Sequence, residues 1–97
     1  LVESTTSRTL LLTDSHKMIQ CTNSGAVTIT VPPQASVTWA GNEEIEVLQH
    51  GTGQVTIAPG AGVTLRTSRS LASYSQYSVL CIKRIASNEW IVYGDVE

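Results

Sequence analysis

Apolar and polar positions alternate with period two over short stretches, and turn residues separate those stretches. The clearest case is Val27-Thr28-Ile29-Thr30-Val31, where β-branched residues suit a pleated surface. Val27, Ile29 and Val31 share one face, which the pattern assigns to the core. Pro32-Pro33 ends this strand, because proline has no N–H for a ladder. Residues 17–22 also alternate, setting Met18 and Gln20 against Ile19 and Cys21. Asn23-Ser24-Gly25 reads as a turn, since Asn and Gly tolerate positive φ. Residues 44–49 place Ile45 and Val47 inward and Glu46 outward.

Further along, Gly51-Thr52-Gly53 is a turn, and Val55-Thr56-Ile57 and Val63-Thr64-Leu65 flank Pro59-Gly60-Ala61-Gly62 like the arms of a hairpin. Residues 34–42 and 66–76 read as polar loops. Residues 77–85 are the longest strand candidate, and Ser87-Asn88 turns the chain into a last strand over 89–93. Thr9-Leu10-Leu11-Leu12-Thr13 is a short apolar run ended by Asp14-Ser15. No stretch sustains a 3.6-residue period, and the pattern shows no true internal repeat. The expectation is an all-β fold of about eight short antiparallel strands in a small sandwich or barrel.

Ninety-seven residues fit a single domain, with the module spanning about 8–95. Apolar residues make up 41% of the chain, enough for a core. The chain begins at Leu1, which reads as a piece of a longer protein. Only 14% of residues are charged and the net charge is −2, so no basic cluster offers itself to nucleic acid. No apolar run approaches the ~18 residues that membrane insertion needs. A Thr-rich strand of low charge at a sheet edge invites pairing, and identical subunits are one natural remedy.

Candidate chemistry is sparse. Asp14-Ser15-His16 are neighbours in the chain, whereas a triad converges from separate segments. Asp14 instead suits a turn-capping role, with His16 exposed. Glu43, Glu44 and Glu46 are the only acidic group that could serve a polysaccharide depolymerase, and an outward pair on a strand is ordinarily solvated surface. No metal site, cofactor motif or phosphate loop is present in the sequence. Cys21 and Cys81 read as two buried thiols in two strands, with a bridge as the alternative, worth about 4 kcal/mol if formed. Trp90 and Tyr93 fall on opposite strand faces, so one of them belongs to the core. The residues best suited to binding are Trp39, Tyr74, Gln76 and Tyr77, because aromatic rings stack on sugars while amides and hydroxyls bond their oxygens. The same rings could instead close the end of a thin core.

Residues 49–66, residues 9–14 followed by Val27-Thr28-Ile29-Thr30-Val31-Pro32-Pro33, and the ending over residues 82–95 together resemble a β-rich module of bacteriophage tail-fibre and virion surface proteins. The resemblance covers roughly Arg8 to Asp95 and lies in the order and spacing of strands and turns. It implies a non-enzymatic virion structural module on a tail fibre or receptor-binding protein, attaching to host-surface polysaccharide. The alternative it implies is a capsid decoration or head-fibre domain. Expected partners are other virion proteins and further copies of the chain, with a trimer favoured. No catalytic residue is implied.

Overall fold

A computed structural model describes residues Leu1–Glu97. Nine strands form two sheets. The strands are β1 (Val2–Glu3), β2 (Ser7–Thr9), β3 (Met18–Cys21), β4 (Val27–Val31), β5 (Glu44–Gln49), β6 (Val55–Pro59), β7 (Thr64–Arg66), β8 (Val79–Ala86) and β9 (Glu89–Gly94). Sheet A has the order β1-β3-β5-β8-β9-β7, and sheet B the order β2-β4-β6. A single 3-10 turn, Leu12–Asp14, follows β2.

The all-β expectation holds, but the antiparallel arrangement does not. Sheet B is entirely parallel, and sheet A is mixed, with antiparallel pairing confined to β5-β8 and β8-β9. The chain winds in coils. Each of the pairs β1-β2, β3-β4 and β5-β6 gives one strand to sheet A and the next to sheet B. A strand therefore meets its ladder partner only after a full coil, which supplies the dozen or more residues that a parallel connection needs.

Coils two and three are also an internal repeat, contrary to the sequence reading. In both ladders each residue pairs with the one 28 positions on, Met18–Cys21 with Glu46–Gln49 and Val27–Val31 with Val55–Pro59. Gly25-x-Val27-Thr28-Ile29 lies in register with Gly53-x-Val55-Thr56-Ile57. The proposed 55–57/63–65 hairpin does not form. Gly60 N–H bonds Val31 O at 2.8 Å and continues the coil, while β7 joins β9 in parallel.

Stacking of the coils is tightest at their turns. His50 and Gly51 N–H both donate to Cys21 O at 2.9 Å, and Gly53 N–H donates to Asn23 O at 3.1 Å. A Cβ on Gly51 would sit 2.5 Å from the carbonyl oxygens of Thr22 and Asn23, and one on Gly53 would overlap Gly25 O. Glycine is required here by the approach of two backbones.

The inward faces of both sheets build one core. It includes Ile19, Ile45, Val47, Leu80, Ile82, Trp90 and Val92 from sheet A, and Val27, Ile29, Val31, Val55 and Ile57 from sheet B. Each fully buried side chain of this size contributes roughly 1.5–3 kcal/mol. The parity assigned to Val27–Val31 and to Ile45 and Val47 is the observed one. Of the Trp90–Tyr93 pair, Trp90 is the core residue and Tyr93 is 39% exposed.

The first coil departs from this pattern. In register, Arg8 stands where coils two and three carry Ile29 and Ile57, and Glu3 where they carry Cys21 and Gln49. Arg8 binds buried Asp14 through both Nε and Nη2, at 3.2 and 2.7 Å, and reaches Glu3 at 3.0 Å through Nη1. Asp14 Oδ2 also accepts Leu11 N–H at 2.9 Å, the turn-capping role expected of it. Inward charge on short edge strands ends the stack and discourages continued pairing.

Three outcomes are expected in urea denaturation. Gly53→Ala lowers stability by about 3 kcal/mol or more, since a backbone must move. Gly62→Ala costs only about 1 kcal/mol by the strain of its positive φ, because nothing lies within 4 Å of the added Cβ. Arg8→Met leaves Asp14 buried without its cation and costs about 3–5 kcal/mol. A wild-type midpoint for Gly53→Ala or for Arg8→Met would refute the corresponding account.

Candidate functional site

The two most exposed aromatic side chains lie on the loop between β7 and β8. Tyr74 and Tyr77 are 65% and 66% exposed, although Leu71, Ser73 and Ser78 of the same segment pack inward. Polar groups beneath the loop hold it in place. Ser73, fully buried, donates its hydroxyl to Gln49 Oε1 at 2.5 Å and accepts Val55 N–H at 2.9 Å. Its own N–H bonds Val55 O at 2.8 Å, and Ile57 N–H bonds Leu71 O at 2.8 Å, so the loop covers the free edge of β6. Ser78 Oγ accepts Ser75 N–H at 3.0 Å and donates to Asp95 Oδ2 at 2.6 Å. Tyr74 N–H bonds Asp95 O at 3.0 Å, and Tyr77 N–H bonds Gln49 O at 2.6 Å.

These anchors fix Tyr77 at φ 73°, a left-handed conformation unfavourable for a bulky side chain. Strain of this kind persists only where surrounding bonds over-determine it. The Tyr77 ring meets the His50 ring edge-on, with centroids 6.0 Å apart. Gln76 Nε2 donates to His50 O at 3.1 Å and acts as a strut between the loop and the third coil. The site thus has rigid backbone support and two outward rings, and it can offer stacking surface and phenolic hydrogen bonds without first ordering a flexible loop.

Of the four residues chosen from the sequence, the structure brings together Tyr74, Gln76 and Tyr77. Trp39 lies elsewhere. It is 4% exposed, its indole stands edge-on to Trp90 at 5.0 Å, and its Nε1–H points to Pro32 O at 3.4 Å. The Trp39 loop enters β5 at Glu44, whereas the tyrosine loop meets the Gln49 end. Five residue steps separate those ends, about 17 Å. Trp39 cannot stack on a ligand held by the tyrosine loop, and it serves as a core residue. His50, Gln49, Ser73 and Ser78 belong to the site and escape the sequence reading. Gln49 alone leaves a trace, as the polar member of the inward series Ile45, Val47, Gln49.

The acidic group divides. Glu44 and Glu46 point outward and, with His16 and Lys17, line a shallow cleft of about 270 Å³. Glu43, outside that outward pair, is not on the solvated surface. It is 3% exposed and accepts Ala40 N–H at 2.6 Å and Gly41 N–H at 2.9 Å. Burial works to raise its pKa, but the backbone donors of Gly41 and Ala40 and the charge of Arg84 outweigh it and hold the group below the usual value of 4.5. Glu3 is also lowered, by the Thr5 hydroxyl first and by Arg8 second. No group of three or more His, Cys, Asp or Glu side chains is placed to hold a metal ion.

Cys21 and Cys81 are unbridged. They sit in different strands as expected, but only Cys21 is fully inward, and burial pushes its thiol up to about 11. Cys81 lies on the outer face of sheet A, half-buried. Its thiol is also raised, mainly by desolvation and then by Glu46 and Glu44.

Folding lowers the pKa of both Glu3 and Glu43. Their stabilisation is therefore complete above the unfolded value and is lost as pH falls through the folded one. Thermal midpoints are expected to drop below about pH 4.5, and Glu43→Gln should lower stability at pH 7 while flattening that acid drop. A drop of equal size in the variant would remove Glu43 from the account. Compared with protein-family models, with curated proteins and with solved structures, the chain matches none.

Proposed function

We propose that this chain is a non-enzymatic binding module of a virion surface protein, of the tail-fibre or receptor-binding kind, and that its Tyr74–Tyr77 loop contacts host-surface polysaccharide. The observation that carries the reading is the pairing of two outward tyrosines with a fully bonded, strained loop base. Exposed aromatic side chains normally lose contact area to the core. Here buried polar groups hold them outside it. Sugar rings have apolar faces that stack on such phenols and hydroxyls that bond them. The shallow cleft at Glu44 and Glu46 lacks the depth that would exclude water from a scissile bond, which favours binding over hydrolysis.

Single contacts of this sort are weak, and several copies on one virion raise avidity by effective concentration. Homo-oligomerisation, as the resemblance implies, would supply those copies. A capsid decoration or head-fibre role uses the same rigid module without the sugar contact.

Tyr77→Gly separates binding from folding, because glycine relieves the positive φ while deleting the ring. The variant is expected to melt at or slightly above the wild-type temperature and to lose at least about tenfold in affinity, the loss of one stacked aromatic. The measurement is saturable binding of the fluorescent domain to bacterial cells before and after their surface polysaccharide is stripped. Unaltered binding by Tyr77→Gly would remove the loop from the contact. A wild-type domain that binds no strain, the phage host included, would shift the assignment to decoration.

A further inference from the structure

The two sheets turn different outer faces to their surroundings. Across sheet B, Ser7, Thr28 and Thr56 form one row in register, all exposed, and the next row carries Thr9 and Thr30. A face of hydroxyls suits water. Sheet A is different. Leu48 pairs with Val79 in one row, and the next row runs Met18, Glu46, Cys81, Tyr93 across four strands. Leu48, Val79 and Cys81 are half-buried and Tyr93 is 39% exposed, so an apolar band runs over β5, β8 and β9, with half-buried Met18 beyond Glu46 and Gln20 on β3. Scattered apolar residues on a surface mean little, whereas a contiguous band marks a contact.

Charge lies beside the band in an ordered way. The third row pairs Glu44 of β5 with Lys83 of β8, 4.0 Å apart and each about half exposed. The acidic column and the basic column are therefore adjacent strands.

We propose that this face pairs with the same face of a second copy of the chain, about a two-fold axis running along the strands between β5 and β8. Such a rotation preserves height along the strands and exchanges columns. It sets β5 over the second copy's β8, and β3 over its β9. Leu48 then meets Val79, Met18 meets Tyr93, and Glu44 meets Lys83, each contact occurring twice. Apolar side chains cover apolar ones, a thioether meets an aromatic ring, and four charges alternate in sign. Glu46, the one charge inside the band, comes opposite the second copy's Cys81 and keeps a polar side toward Lys17 in the cleft. A three-fold arrangement joins two different patches and would leave this self-complementarity unused. A pair also exposes two tyrosine loops, but the inference stands apart from sugar binding.

The test is native mass by sedimentation equilibrium, with circular dichroism to confirm folding. The wild-type domain should have twice the chain mass. Lys83→Glu and Glu44→Lys each place like charges opposite one another and should each sediment as monomers. Mixed in equal amounts, they should form a heterodimer, because Glu44 of the first then faces Lys83 of the second and the new charges also match. A wild-type domain that is monomeric at every concentration, or trimeric, overturns the proposal. So do variants that melt like wild type yet remain dimers, or that fail to pair on mixing. If a variant fails to fold, the wild-type mass decides alone. A dimer that binds no cell keeps this inference and ends the attachment reading, and a monomer that binds cells does the reverse.

Discussion

Everything in this molecule depends on the in-register stacking of one coil's backbone on the next. At the turns the approach is so close that Gly51 and Gly53 have carbonyls of Thr22, Asn23 and Gly25 where a side chain would begin. That contact sets the spacing of coils two and three. From it follow the 28-residue register of both ladders and the inward alignment of Ile19 with Val47, Val27 with Val55 and Ile29 with Ile57. Parallel ladders slip less easily when turns as well as strands must match, because a slipped register would clash at the turn and expose the core face at once.

A stack of coils has two ends, and the chain treats them differently. At the first coil, Leu10 still extends the core, but the next positions hold Glu3 and Arg8, with Asp14 beside them, so much of the apolar column ends on an ion network. At the third coil, the chain itself closes the structure. β8 joins β5 in sheet A, and residues 71–73 bond along β6 in sheet B. The tyrosine loop is the continuation of that closing segment. Its rigidity is thus a product of sealing the stack, since the bonds that satisfy the edge of β6 and the end of β5 also hold Tyr77 in its strained conformation.

Strand positions were legible because parity is a local property. Val27–Val31 and Ile45–Val47 face inward wherever their partners lie, and the short turns around Asn23-Ser24-Gly25 and Gly51-Thr52-Gly53 announce themselves by residue type. Strand direction was not legible in the same way. Period-two alternation is common to parallel and antiparallel ladders, and Pro59-Gly60-Ala61-Gly62 has the composition of a hairpin loop. One signal was present and unused: Gly25-x-Val-Thr-Ile recurs at Gly53, and near-identical strands a coil apart favour parallel stacking.

The sequence by itself determined the all-β class and the inward side of the main strands, and it singled out Tyr74, Gln76 and Tyr77 together with Trp39 without separating binding from packing. Only the tertiary structure decided that Trp39 is a core residue, that Glu43 is buried against backbone N–H groups, and that Gln49, Ser73 and Ser78 support the loop. Glu43 finds its donors locally, at Ala40 and Gly41, through the shape of its own loop; for Trp39 and the loop supports the physical reason is distance along the chain. Trp39 pairs with Trp90, Gln49 with Ser73, and Ser78 with Asp95, partners 17 to 51 positions away. Local pattern reveals which way a side chain points along its own strand. What it meets there is set by the stacking of the coils.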